Sequence, residues 1–215
     1  MAPLIGCGPE KSVPAALLAG VAVVLVWSVI GCYRLSTWFL EVWPVFIGIP
    51  VLVWLYPRFR LTNLVYSLIA VYALIIMIGS HYTYARMPAF TWLQEALSLD
   101  RNYYDRLAHI VQGLVPALLT REVLARFTPL QKGRLSTVLV LSVCLALSAL
   151  WELLEFAVVR LARLPAGVFL GGDPWDTQWD MTFCLIGAVG GLLLLARTHD
   201  RAMEAEESRV RSVSV

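Results

Sequence analysis

Residues 64–84 read LVYSLIAVYALIIMIGSHYTY, a run without Asp, Glu, Lys or Arg. At the helical rise of about 1.5 Å per residue, such a run is long enough to cross the roughly 30 Å hydrocarbon core of a bilayer. Five further segments have a similar length and apolar character: Pro14 to Tyr33, Trp38 to Tyr56, Tyr104 to Leu124, Ser136 to Val159 and Asp176 to Ala196. The whole chain agrees with them. With 59% hydrophobic and only 15% charged residues among 215, and a mean hydropathy of +0.73, it has too little polar surface to enclose a soluble domain. The expected fold is all-α: a polytopic transmembrane bundle of about six spans, one integral domain over 1–215 with a polar tail at 197–215.

Orientation is read from the basic residues. If both termini share a side, that side holds Lys11, Arg58, Arg60, Arg121, Arg126, Lys132, Arg134, Arg197, Arg201, Arg209 and Arg211, eleven of the 17. The other side holds nine of the 15 acids, so the formal balance is +5 against −3, and the positive-inside bias puts both termini in the cytoplasm. The run from Val13 to Tyr33 is long for a signal-peptide core and lacks a clean small-x-small cleavage site, which favours a retained first span. A rival reading takes Val29-Ile30-Gly31-Cys32 as a lipobox with Cys32 lipidated. Cys7, Cys144 and Cys184 show no C-x-x-C spacing, so neither a disulfide framework nor a zinc finger is implied.

The inner loops are short. The tail from Arg197, with mixed Glu and Arg, reads as a frayed solvated segment, and His199 within it as uninformative. The outer segments Ala85 to Tyr103 and Arg163 to Trp175 are longer, and read as a cover over a site. Trp38, Trp43, Trp92, Trp151, Trp175 and Trp179 gather at the same end and are taken as interfacial anchors.

Ionisable residues are costly in a bilayer and usually kept for function. Here His81, Asp105, His109, Glu152, Glu155, Asp173, Asp176 and Asp180 all fall toward the outer ends of the spans. Asp105 and His109 are four apart at the start of the fourth span, so they share a helix face, continued inward by Gln112 and Pro116. Glu152 and Glu155 are three apart on the fifth span; Asp176 and Asp180 are four apart at the start of the sixth. Below these, Gly187-x-x-x-Gly191 offers a close-approach face. His81 enters from the third span, so four helices aim at one outward pocket.

Neutral imidazoles with carboxylates make a nitrogen and oxygen ligand set suited to Zn²⁺, Mn²⁺ or Fe²⁺. Carboxylates crowded in low dielectric repel one another, and a bound cation, proton uptake, or pairing with Arg86, Arg101 or Arg106 would relieve that repulsion. The plainer alternative is that Asp105 with Arg106, and Asp173 or Asp176, are ordinary water-bathed interfacial charges. A bis-histidine haem between His81 and His109 is disfavoured by the surrounding acids.

The segments His81-Tyr82-Thr83-Tyr84-Ala85, Tyr104-Asp105-Arg106-Leu107-Ala108-His109, Trp151-Glu152-Leu153-Leu154-Glu155 and Gly172-Asp173-Pro174-Trp175-Asp176-Thr177-Gln178-Trp179-Asp180-Met181 closely resemble the YjdF-like bacterial inner-membrane family. The resemblance runs from about Trp43 to Thr198 and implies topology, inner-membrane location and site positions without a reaction. A looser similarity is to VanZ-like proteins, from which the chain departs by having Arg106 where that pattern has a lysine and Glu155 where it has a glutamine.

The expected function is a metal-dependent hydrolase or transferase acting on a lipid or cell-envelope substrate. In it, His81, His109, Glu152, Glu155, Asp176 and Asp180 are the candidate metal ligands, and Asp105 and Asp173 the candidate bases or orienting groups. Two alternatives stand beside it: a cation- or proton-coupled transporter, and a non-catalytic membrane factor. The expected partners are membrane lipids and an envelope substrate, with no role for nucleic acid.

Overall fold

The computed structural model describes residues 12–163 and 173–213. Among these there are seven helices and no strand: α1 (Ser12–Val29), α2 (Leu35–Leu55), α3 (Asn63–Tyr82), α4 (Pro88–Ala96), α5 (Tyr104–Phe127), α6 (Arg134–Leu161) and α7 (Asp176–Val213). Five of them, α2, α3, α5, α6 and α7, are long and apolar enough to cross a membrane; α1 is apolar but shorter. Lys11, Cys7 and most of the expected outer segment between Arg163 and Trp175 lie outside the described residues.

The helices end where the backbone chemistry predicts. Gly31, with φ +69°, takes the left-handed conformation that turns the chain out of α1. Thr62 caps α3, its hydroxyl accepting from the Val65 N–H at 3.4 Å, and Thr83 closes the same helix at φ 59°. Pro88 opens α4, where its missing N–H costs nothing. The turn beside it is held by Asn102, whose Nδ2 donates to Met87 O and to Thr91 Oγ1, each at 3.1 Å.

Two compact units make up the chain, residues 1–102 with 199–215, and residues 103–198. In the first, α3 packs against α1 and α2 around Val21, Trp38, Val42, Val45, Ala70, Ile76 and Met77. Trp38 was expected to anchor at the interface, but it is 3% exposed and its Nε1 donates to Ser28 Oγ at 3.1 Å. The indole N–H has a partner inside the core, which removes the reason for it to seek the headgroup region. Trp92 and Trp175, in contrast, are exposed.

The expected solvated tail is instead the continuation of α7. His199 is fully buried, Met203 and Glu206 are buried, and Arg60 pairs with Glu206 at 3.4 Å. The buried positions His199 and Met203 recur at helical spacing among the charges, and their burial holds the segment in place.

In the second unit, α5, α6 and α7 meet through small residues. A Cβ added at Gly113 would collide with the backbone of Cys184, and one at Gly187 with the backbone of Ile110; at Gly191 it would come within 3.1 Å of Leu114 Cγ. The Gly187-x-x-x-Gly191 face therefore lies against α5, and Gly113 answers it from the other side. The Cys144 thiol donates to Gly113 O at 3.6 Å, and the Cys184 thiol to Cys144 O at 3.7 Å.

Candidate metal and acid-base centre

The three-helix contact fixes a register. Because α5 and α6 run antiparallel with Cys144 level with Gly113, one turn toward the start of α5 sets Ser148 level with His109, and a second sets Glu152 level with Asp105. The contacts of Gly113 with Cys184 and of Gly191 with Leu114 run α7 parallel to α5. Asp180 therefore joins the His109 layer, and Asp176 the Asp105 layer above it. Two polar layers rest on a floor of Gly113, Cys144 and Cys184.

At their centre is Arg106, 4% exposed, a residue the sequence reading treated only as one possible counter-ion. Its Nη1 donates to Asp180 Oδ1, and its Nη2 to Asp176 Oδ1 at 2.5 Å. Asp105 and Asp173 each stand 3.7 Å from the guanidinium. One planar cation thus faces four carboxylates, drawn from α5, from the start of α7 and from the turn just before it. The first turns of these two helices favour acids because their N–H groups point at them. Asp173 adds a turn of its own, accepting from the Trp175 N–H at 2.8 Å. The interfacial alternative for Arg106 and Asp176 does not hold, since both are buried.

His109 lies beside this pair. Its Nε2 is 3.4 Å from Asp180 Oδ1 and 3.7 Å from Asp105 Oδ1, while its Nδ1 is buried without a hydrogen-bond partner. Asp105, His109 and Asp180 each offer one ligand atom, all within 4.8 Å of one another. One nitrogen and two oxygens in that space are the beginnings of a coordination shell for a borderline divalent metal.

The other expected residues take different places. Asp176 is committed to Arg106. Glu152 is buried and accepts a hydrogen bond from the Thr177 side chain, with its Oε1 left unpartnered. Glu155 accepts from Trp151 Nε1 at 2.7 Å. His81 belongs to the first unit. There its Nδ1 lies 3.0 Å from Ser28 O, and its ring stacks on Trp27 at 4.6 Å and meets Tyr82 edge-on.

Arg106 was named from the sequence as one of three possible partners for the acids, but its place between Asp105 and His109 did not reveal that it is the centre of the cluster. Thr177 carried no signal beyond lying one residue after Asp176.

Comparison with known proteins agrees with a membrane location. Residues 13–201 match the family model described as Predicted membrane protein (DUF2238). The chain is 42% identical over 182 residues to the Inner membrane protein YjdF of Escherichia coli (strain K12), covering 84% of this chain and 87% of that protein. No solved structure matches. With its apolar spans and an inner-membrane relative of almost the same extent, the chain is an integral inner-membrane protein, and it belongs to the DUF2238 family.

Proposed function

We propose that this protein is a membrane-embedded, metal-dependent hydrolase or transferase acting on a lipid or other cell-envelope substrate at the outer face. The observation that carries the reading is the approach of Asp105, His109 and Asp180 to within 4.8 Å, beside a guanidinium that alone cannot balance the surrounding acids. These three residues would hold Zn²⁺, Mn²⁺ or Fe²⁺. Such an ion, when bound, supplies Lewis acidity toward an ester, phosphoryl or water oxygen.

The chain's own groups have separable tasks. Arg106 locks Asp176 and Asp180 in fixed rotamers, which keeps Asp180 aimed at His109. Asp105 and Asp173 are the more exposed carboxylates of the group, at 25% and 30% of their side chains, and so are placed to meet an entering substrate and to accept its proton. The floor of Gly113, Cys144 and Cys184 is closed by small, tightly packed groups.

The reading is tested by reconstituting the protein in vesicles of bacterial lipid extract with Zn²⁺, Mn²⁺ or Fe²⁺ and following lipid species by mass spectrometry. A metal-dependent product that is lost in Asp180→Asn supports it. Metal binding without any product from lipid or envelope precursors would remove the enzyme reading.

A specific observation favours the transporter reading as second. Glu122, near the other end of α5, is fully buried and pairs with Arg126 at 2.7 Å. With Asp105, His109 and Gln112 it extends the polar positions along one helix, leaving a gap of about 15 Å between Gln112 and Glu122 at helical rise. Metal- or proton-driven flux into vesicles, abolished by Glu122→Gln, would select that reading.

A further inference from the structure

His109 and Glu152 share an unusual condition. They are 6% and 8% exposed, yet His109 Nδ1 and Glu152 Oε1 both lack a hydrogen-bond partner. Leaving two such atoms buried without partners is unfavourable, so their persistence needs an explanation. The register provides one. Side chains on a helix lean toward its N-terminus. On α5 the N-terminus is the Asp105 end, so His109 leans up toward the Asp105 layer; on antiparallel α6 Glu152 leans down from that layer toward His109. The two side chains converge across the one-turn gap between their backbones, and each lies within electrostatic range of the other.

The two faces of the imidazole are then divided. Nε2 faces the carboxylates of Asp105 and Asp180, while Nδ1 faces away from them without a partner. A histidine that gives one nitrogen to a metal ordinarily donates the other N–H to a carboxylate, which fixes its tautomer and strengthens it as a ligand.

Building on the proposed metal centre, we infer that Glu152 is a positioning residue for that centre. It receives the Nδ1–H of His109 on Oε1 through one bridging water, with Thr177 beside the same carboxylate. This separates Glu152 from the residues that would touch the metal, although its residue type suits ligation equally well. Glu155, held by Trp151 Nε1, is a nearby acid without this task.

The test uses full-length protein in nanodiscs titrated with Co²⁺ alone, read by its visible absorption. A second readout is the ¹⁵N signal of labelled histidine, assigned with His109→Ala. Loss of an outer-shell partner typically weakens a site 10–100-fold, so Glu152→Gln should lose Co²⁺ affinity by about that factor with an unchanged band shape. Its His109 Nδ1–H signal should shift. Glu152→Asp, which keeps the carboxylate, should fall between wild type and Glu152→Gln, and it carries the test if Glu152→Gln does not fold. Glu155→Gln, which removes the same charge, should change affinity by less than about threefold.

Equal weakening by Glu155→Gln would show a diffuse charge effect and overturn the inference. So would wild-type affinity in Glu152→Gln, or a changed Co²⁺ spectrum, which would make Glu152 a ligand. If wild type itself takes up no Co²⁺, the metal centre fails and this inference falls with it; if wild type binds and Glu152→Gln binds equally, only the positioning role fails.

Discussion

Arg106 on α5 and Asp180 on α7 form a buried ion pair that binds two helices through their side chains one layer above the point where their backbones touch at Gly113. The same Asp180 oxygen faces His109, so the structural pair and the candidate ligand set share an atom. Helix association and site geometry are consequently coupled at this carboxylate.

Removing Arg106 leaves Asp176 and Asp180 buried without their cation. Arg106→Gln should destabilise the folded protein by about 3–5 kcal/mol, the usual cost of breaking a buried pair from one side. Arg106→Lys should recover only part of this, because a single ammonium cannot reproduce the planar donation to two carboxylates. Thermal unfolding in detergent would measure both, and a wild-type midpoint in Arg106→Gln would contradict the hub assignment.

The helix contact makes a steric prediction. Gly113→Ala should cost about 1–3 kcal/mol through forced backbone separation, since its Cβ would meet Cys184 backbone atoms. Gly190→Ala, where nothing lies within 4 Å, should be harmless. Comparable midpoints for the two variants would argue against close approach of α5 and α7.

Core placement of Trp38 can be separated from interfacial anchoring. Trp38→Phe keeps the ring but loses the bond to Ser28 Oγ, and should destabilise by about 1 kcal/mol. Trp92→Phe, at an exposed position on α4, should change stability by less than about 0.5 kcal/mol. Chemical or thermal unfolding of the two proteins side by side decides it.

Orientation is tested in cells. In a background without native cysteines, Glu95→Cys on exposed α4 should react with an impermeant maleimide in intact spheroplasts, and Lys132→Cys only after permeabilisation. The opposite pattern would invert the topology drawn from the arginine distribution.

The sequence revealed the apolar helices because about 20 predominantly apolar residues in a row admit few other structures in a membrane. It also exposed Gly187 and Gly191, whose spacing marks one helix face. It did not reveal α4, since nine residues opened by Pro88 resemble a loop, nor the helical continuation beyond Arg197, where charges hide the buried His199 and Met203. At the site, the spacing of Asp105 with His109 and of Asp176 with Asp180 was readable along each helix. The division of labour was not. Which carboxylate meets His109 and which meets Arg106 depends on the rotation of α7 against α5, and that is set by glycine contacts two turns away.

If Asp105, His109 and Asp180 form a metal-binding set, the thermal midpoint of purified wild-type protein responds to chelator and to adding back Zn²⁺, Mn²⁺ or Fe²⁺. Selective binding to the folded state raises stability by about 2.7 kcal/mol at a hundredfold excess of metal over Kd. Chelation should lower the midpoint, one of these ions should restore it, and His109→Ala and Asp180→Asn should lose the response. An unchanged midpoint under chelation and metal, with no metal in elemental analysis of the purified protein, would contradict the metal-binding set.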